Sequence, residues 1–149
     1  MAHLLQLNIP LTLKTNNMNN EFTPYEQALD LKELGFNQEC LAFYNSTFRT
    51  PNELLYPQYG GEVGNWNVEN HLISAPLYQQ AFRWFREKHD LFGCIDLQAC
   101  SPSHWFIRID KIEINDYLYH SEDENVKYNT YEEAELACLK KLIEIVKIK

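Results

Sequence analysis

Three helix starts are spelled out in this chain, and the stretches between them decide what it can fold into. Thr23-Pro24-Tyr25-Glu26 sets a capping hydroxyl, a proline at the first helical position and a carboxylate three residues after the cap. Gly35 supplies the stop for that helix. Ser74-Ala75-Pro76 opens a second, which carries Leu77, Tyr78, Ala81, Phe82, Trp84 and Phe85 toward Asp90 or Gly93. Thr130-Tyr131-Glu132-Glu133 repeats the capping box ahead of Ala134, Ala137, Cys138, Leu142, Ile145 and Val146. Leu136, Leu139 and Ile143 widen that apolar stripe and predict deep packing. A pattern Tyr-[Glu/Gln]-[Glu/Gln]-Ala recurs at Tyr25, Tyr78 and Tyr131, at equal intervals of 53 residues. Similarity over four positions does not make a solenoid. It reflects shared helix-start chemistry: polar groups in the first turn, then a small inward-facing alanine.

Strand signals fill the gaps. Glu39–Tyr44 is short, apolar and β-prone. Phe92–Ala99 and His104–Ile114 read as paired strands around the turn Ser101-Pro102-Ser103. In the second of these, Trp105, Ile107, Ile109 and Lys111 share one face and Phe106, Arg108 and Asp110 the other. Asp116–His120 is a further short strand, and residues 45–70, with Gly60-Gly61 and Gly64, hold loops with room for a hairpin. Ahead of them all, Leu5, Leu7, Ile9, Leu11 and Leu13 alternate with Gln6, Asn8, Pro10 and Thr12, which is the period of a strand. Pro10 cannot donate to a ladder, so this is an edge strand. The polar run Asn16 to Asn20 then reads as a linker, and a start at Met18, the only internal methionine, would make the preceding residues optional. The chain therefore divides into a β arm over 1–17 and one domain over 18–149. The expected fold is α+β: a small, mainly antiparallel sheet with three helices packed on one face.

A net charge of −8 repels a phosphate backbone, so direct nucleic-acid binding is not expected. The densest basic runs, Arg83, Arg86 and Lys88 and then Lys140, Lys141, Lys147 and Lys149, fall on expected helices, the second near a C-terminus where cations suit the dipole. Cys40, Cys94, Cys100 and Cys138 form no C-x-x-C pair and no zinc spacing. Within one extended strand Cys94 and Cys100 would stand about 20 Å apart, too far for a disulfide. Free thiols point to a reducing cytosol. No stretch approaches the roughly 20 apolar residues of a membrane span, and the N-terminus lacks the basic region and cleavage site of a signal peptide.

Catalytic and metal signatures fare poorly. His3, His71, His89, His104 and His120 stand at no ligand spacing. His120 with Glu122, Asp123 and Glu124 is the nearest acidic cluster, but it lacks a calcium-loop glycine and reads as a solvated turn. Cys100 and His104 flank a turn with no helix N-terminus to activate the thiol. Gly60-Gly61-Glu62-Val63-Gly64 lacks the Lys-Ser/Thr of a phosphate loop. No cofactor and no metal are expected.

Aromatic residues supply the remaining signal. Leu54, Leu55, Tyr56, Tyr59 and Trp66 lie in the glycine-containing loop region, where side chains need not be core. Tyr and Trp are favoured interface anchors, so Tyr56, Tyr59 and Trp66 are the candidate partner contacts, with the acidic turn Glu122, Asp123 and Glu124 beside them. The arm offers a second route, adding its strand to a neighbour's sheet in a swapped homodimer or to a partner, or else folding back on its own sheet.

The three helices also resemble runs in small proteins of Bacteroidetes phages and integrated mobile elements. The similarity lies in Pro24–Phe36, Ser74–Lys88 and Thr130–Lys147, and spans Thr23 to the C-terminus. That family carries no assigned activity, so no functional residue transfers. The resemblance implies a setting: a cytoplasmic phage or mobile-element factor that binds and modulates or inhibits a host protein, for example a defence or nucleic-acid-handling complex in the manner of an anti-CRISPR. An acidic surface can compete for sites built to hold nucleic acid. The alternatives are an enzyme or small-ligand binder with a site assembled from sequence-distant residues, and a virion structural component.

Overall fold

Each tyrosine of the recurring pattern is the first residue of a helix in the computed structural model, which describes residues 18–57, 62–98, 104–114 and 116–148. Helix α1 spans Tyr25–Glu33, α2 Tyr78–His89 and α3 Tyr131–Lys147. The alanine three positions on, Ala28, Ala81 and Ala134, is fully buried in all three. A methyl group there lets the first helical turn sit close against its neighbours without a cavity.

The caps are less uniform. At α3 the Thr130 hydroxyl accepts from the Glu133 N–H at 3.1 Å, and the Glu133 carboxylate accepts from the Asn129 N–H. At α1 the expected Thr23 cap is not made, because Pro24 occupies the cap position. Thr23 is instead held from outside the helix: its N–H donates to the Pro76 carbonyl, and its own carbonyl accepts from the buried Tyr44 hydroxyl at 2.8 Å. Its Oγ1 has no hydrogen-bond partner among the described residues. The expected opening of α2 at Ser74 is also corrected. Leu72–Ala75 is a strand, and α2 begins after Leu77, whose N–H donates to the Gln80 side chain in place of a hydroxyl cap. Gly35, at φ +88°, closes α1 as expected.

Among the described residues five strands form two antiparallel sheets. β1 (Ala42–Asn45) pairs with β2 (Leu72–Ala75), and β3 (Leu91–Leu97) with β4 (Trp105–Lys111), which pairs in turn with β5 (Asp116–His120). The fold is α+β as expected, with its strands divided between sheets of two and three. The strand expected at Glu39–Tyr44 lies at 42–45, with Cys40 making an isolated bridge to Gly64. The hairpin of β3 and β4 closes in register with Leu97 opposite Trp105, while its expected turn, Ser101-Pro102-Ser103, lies outside the described residues. So do residues 1–17 of the expected arm.

Two apolar clusters hold this together. The larger joins α2 and α3 to the three-stranded sheet through Phe82, Phe85, Leu91, Ile107, Ile109, Leu139 and Leu142. Ile107 and Ile109 face it, as the alternation of β4 requires, and the opposite face carries Arg108 bound to Asp110 at 3.0 Å. The smaller gathers Phe22, Ala28, Ala42, Tyr44, Ile73 and Ala75 beneath β1 and β2. Helix α1 serves both, giving Ala28 to the smaller and Leu31 to the larger. Its end is pinned where Lys32 Nζ donates to the Glu69 and Leu72 carbonyls, both at 2.7 Å. No helix among the described residues is long and apolar enough to cross a membrane.

Candidate functional site

Alternation in β1 sends Ala42 and Tyr44 into the smaller core, so Phe43 and Asn45 must face outward. Opposite them, Leu72 pairs with Asn45 on the same outer face. A two-stranded sheet with apolar side chains on both faces needs cover on both, and here the outer face is only walled. Leu55 bridges to Phe43 through two backbone hydrogen bonds, and Phe48, Tyr56 and Trp66 complete the rim. The result is an open groove of about 430 Å³ with an almost wholly apolar lining.

The walls are held by specific contacts. Trp66 stacks obliquely on Phe43, ring centroids 4.6 Å apart, and its indole N–H donates to the Cys40 carbonyl at 3.1 Å. Its backbone N–H donates to the Ser74 hydroxyl, and Asn67 next to it bridges the Phe36 carbonyl to the Ser74 N–H. The Tyr56 hydroxyl donates to Asn19 Oδ1 at 2.9 Å, and its ring meets the edge of Phe22. Phe48 and Tyr56 remain 49% and 45% exposed.

The structure thus brings Tyr56 and Trp66 into one site with Leu55, whereas Leu54 packs against the smaller core. Trp66 is half-buried and also packs on the larger core, so it is as much a strut as a contact. Tyr59 lies outside the described residues. Glu122, Asp123 and Glu124 do not line the groove; they form an exposed turn after β5. There Glu124 accepts from the Tyr119 hydroxyl and Glu122 lies 3.9 Å from His120. Phe43, Phe48 and Leu72 were not singled out in the sequence. The available signal was Leu72-Ile73-Ser74-Ala75, whose strand character was masked by the Ser-Ala-Pro helix signal overlapping it.

A second, larger cavity of about 810 Å³ lies where the first turns of α1 and α3 approach residues 19–22. Phe22, Tyr25, Tyr44 and Tyr78 line it together with Glu26, Glu53, Glu132, Glu133 and Glu135. Burial, reinforced by the carboxylates of Glu21 and Glu132, pushes the Glu135 carboxyl up to about 7. The described thiols are poor nucleophiles. Burial drives Cys40 and Cys138 to about 12 and raises Cys94 as well, so little thiolate forms near neutrality. Among the described residues no group of three His, Cys, Asp or Glu is placed to hold a metal ion.

Set against known proteins, the chain matches no family model, no curated protein and no solved structure.

Proposed function

We propose that this domain is a protein-binding module that takes apolar side chains of a partner into the groove over β1 and β2. The observation that carries this is the pair Phe48 and Tyr56, two large rings left about half exposed on the rim of an apolar cleft. Aromatic side chains so placed, over a lining that offers contact rather than chemistry, are the usual anchors of protein interfaces. The net charge of −8 favours a partner with a basic surface. The resemblance of the three helices to phage and mobile-element proteins supports a host defence or nucleic-acid-handling complex as that partner, met in the cytoplasm.

The test is affinity capture with the tagged full chain from a Bacteroidetes lysate, with and without nuclease, beside the variants Phe48→Ala and Tyr56→Ala. A stoichiometric protein retained through nuclease by the parent and lost from both variants supports the module. Equal retention by the folded variants removes the groove from it.

A small-ligand binder is the second reading, favoured by the cavity at the helix starts. Its Glu135 can gain or lose a proton near neutrality, and the surrounding rings and carboxylates suit an organic cation. Saturable binding of alkylammonium compounds to the parent, abolished in Glu135→Gln, would favour it over the groove.

A further inference from the structure

Resting on the reading of the groove as a protein-binding surface, we propose that the partner enters it as a proline-rich segment in the polyproline II conformation, flanked by Lys or Arg. The walls are the first reason. Four of the eight lining residues are aromatic, Phe43, Phe48, Tyr56 and Trp66, and a fifth is Pro57. Phe43 and Trp66 lie at 37° to each other, while Phe48 and Tyr56 stand out from the surface. Rings arranged as ridges along an open groove give a pyrrolidine ring flat apolar faces to pack on, and polyproline II segments dock in grooves lined this way.

The second reason is the hydrogen-bonding capacity of the lining. The carbonyls of Phe43 and Leu55 each accept from the other's N–H, that of Asn45 accepts from Phe48, that of Trp66 from Glu69, and that of Leu72 from Lys32 Nζ. An ordinary peptide laid over them would bury N–H groups with few free acceptors to receive them, which is costly. Proline has no N–H to bury. A prolyl segment needs instead a donor for one of its carbonyls, and the groove holds one. Asn45 Oδ1 accepts from the Thr47 N–H at 3.0 Å and from its hydroxyl at 2.7 Å. Those two bonds set the orientation of the amide and leave Asn45 Nδ2 with no partner among the described residues.

Charge is the third. The chain that frames the groove, from Phe48 to Leu72, carries exposed Glu53, Glu62 and Glu69 against exposed Arg49. This excess of carboxylate has the sign of the whole chain, and Lys or Arg beside the prolines complements it. Such a site reads a short linear segment rather than a folded face. The ordering cost is small, because proline-rich chains already populate polyproline II before they bind.

The experiment selects a displayed library of random linear peptides against the immobilised full chain. Fluorescence polarisation then measures the selected peptides on the parent, Phe48→Ala and Asn45→Asp. Enrichment in proline and in Lys or Arg is expected, with affinity falling about tenfold when the prolines are replaced by alanine. Phe48→Ala should weaken binding by a similar factor. Asn45→Asp keeps the acceptor that holds Thr47 and exchanges the donor for a carboxylate oxygen. It should also weaken binding about tenfold, although its added charge favours a basic peptide. Urea midpoints report whether each variant is folded, and should Asn45→Asp fail to fold, Phe48→Ala and the alanine peptides carry the test. Selected peptides that need Phe48 but show no excess of proline or of Lys and Arg, or that keep their affinity without proline, overturn the proposal and leave the groove a protein-binding surface. Apolar residues at helical spacing in those peptides would assign the groove to an amphipathic helix instead. Affinity unchanged in folded Phe48→Ala removes the groove reading and the proposal with it.

Discussion

Gly93 sits in β3 opposite Ile109, beneath Cys138 and Leu142 of α3. A Cβ built there would stand 2.7 Å from Cys138 Sγ and 3.2 Å from Leu142 Cδ1. The first distance is shorter than real Cβ contacts, so α3 or β3 must give by about 0.7 Å to reach ordinary contact at 3.4 Å. Overpacking of this kind costs 1–3 kcal/mol, against which alanine recovers about 0.5 kcal/mol through the less flexible unfolded chain. Gly93→Ala should therefore destabilise by about 1.5 kcal/mol. Cys138→Ala leaves a small void and costs about 1 kcal/mol by itself. In that background the sulfur is gone and only the end of the Leu142 side chain remains, which can rotate away. There Gly93→Ala should be neutral or slightly stabilising, a coupling of about 1.5 kcal/mol between the two sites. Urea unfolding followed by tryptophan fluorescence on all four members of the cycle measures it. A cost below about 0.5 kcal/mol for the single change, or the same cost in both backgrounds, refutes the contact.

Three further substitutions test the electrostatics and the caps. The Glu135 carboxyl rises from 4.5 to about 7, so the folded chain holds that proton more tightly than the unfolded one. Its stabilising contribution is full below about pH 4.5 and is lost as pH climbs through 7. Glu135→Gln should thus raise stability at pH 8 by about 1 kcal/mol, once solvent screening of this half-exposed group is discounted, and change little at pH 4; equal shifts in melting temperature at both pH values would contradict it. Thr130→Ala removes a cap that is made and should cost about 1 kcal/mol, whereas Thr23→Val removes a buried hydroxyl with no described partner and should be neutral or stabilising. Urea midpoints that fall in the reverse order would show the caps to be misassigned.

Local grammar was legible where the signal was local. Thr130 caps α3 with its hydroxyl on the Glu133 N–H, and β5 runs from Asp116 to His120 as expected. Thr23 and Ser74 carry the same cap chemistry and fail as caps for different reasons: Pro24 takes the cap position at α1, with Thr23 held by its backbone to Tyr44 and Pro76, whereas Ser74 lies in β2 and its hydroxyl accepts from the Trp66 N–H. Four-residue strands such as β2 are too short for periodicity to declare, so the division into two sheets was invisible. The groove was half legible. Leu55, Tyr56 and Trp66 stood out as aromatic or apolar residues in a loop region, but Phe43 and Leu72 become visible only once β1 and β2 are paired. The Glu135 cavity left no trace in sequence, since its lining runs from Asn19 to Leu136 and depends on which helix starts are neighbours.

Helix α1 is only nine residues long, yet it places Ala28 in one apolar cluster and Leu31, one turn later, in the other. Lys147 near the end of α3 grips Asp30 and Glu33 on the same short helix. Neither sheet can melt without stripping one face of a helix that the other needs, so the two clusters share a single fate. The amides of β1 and β2 should then exchange with solvent at the same free energy as those of β3 and β4, and the chain should behave as one cooperative unit despite its two cores.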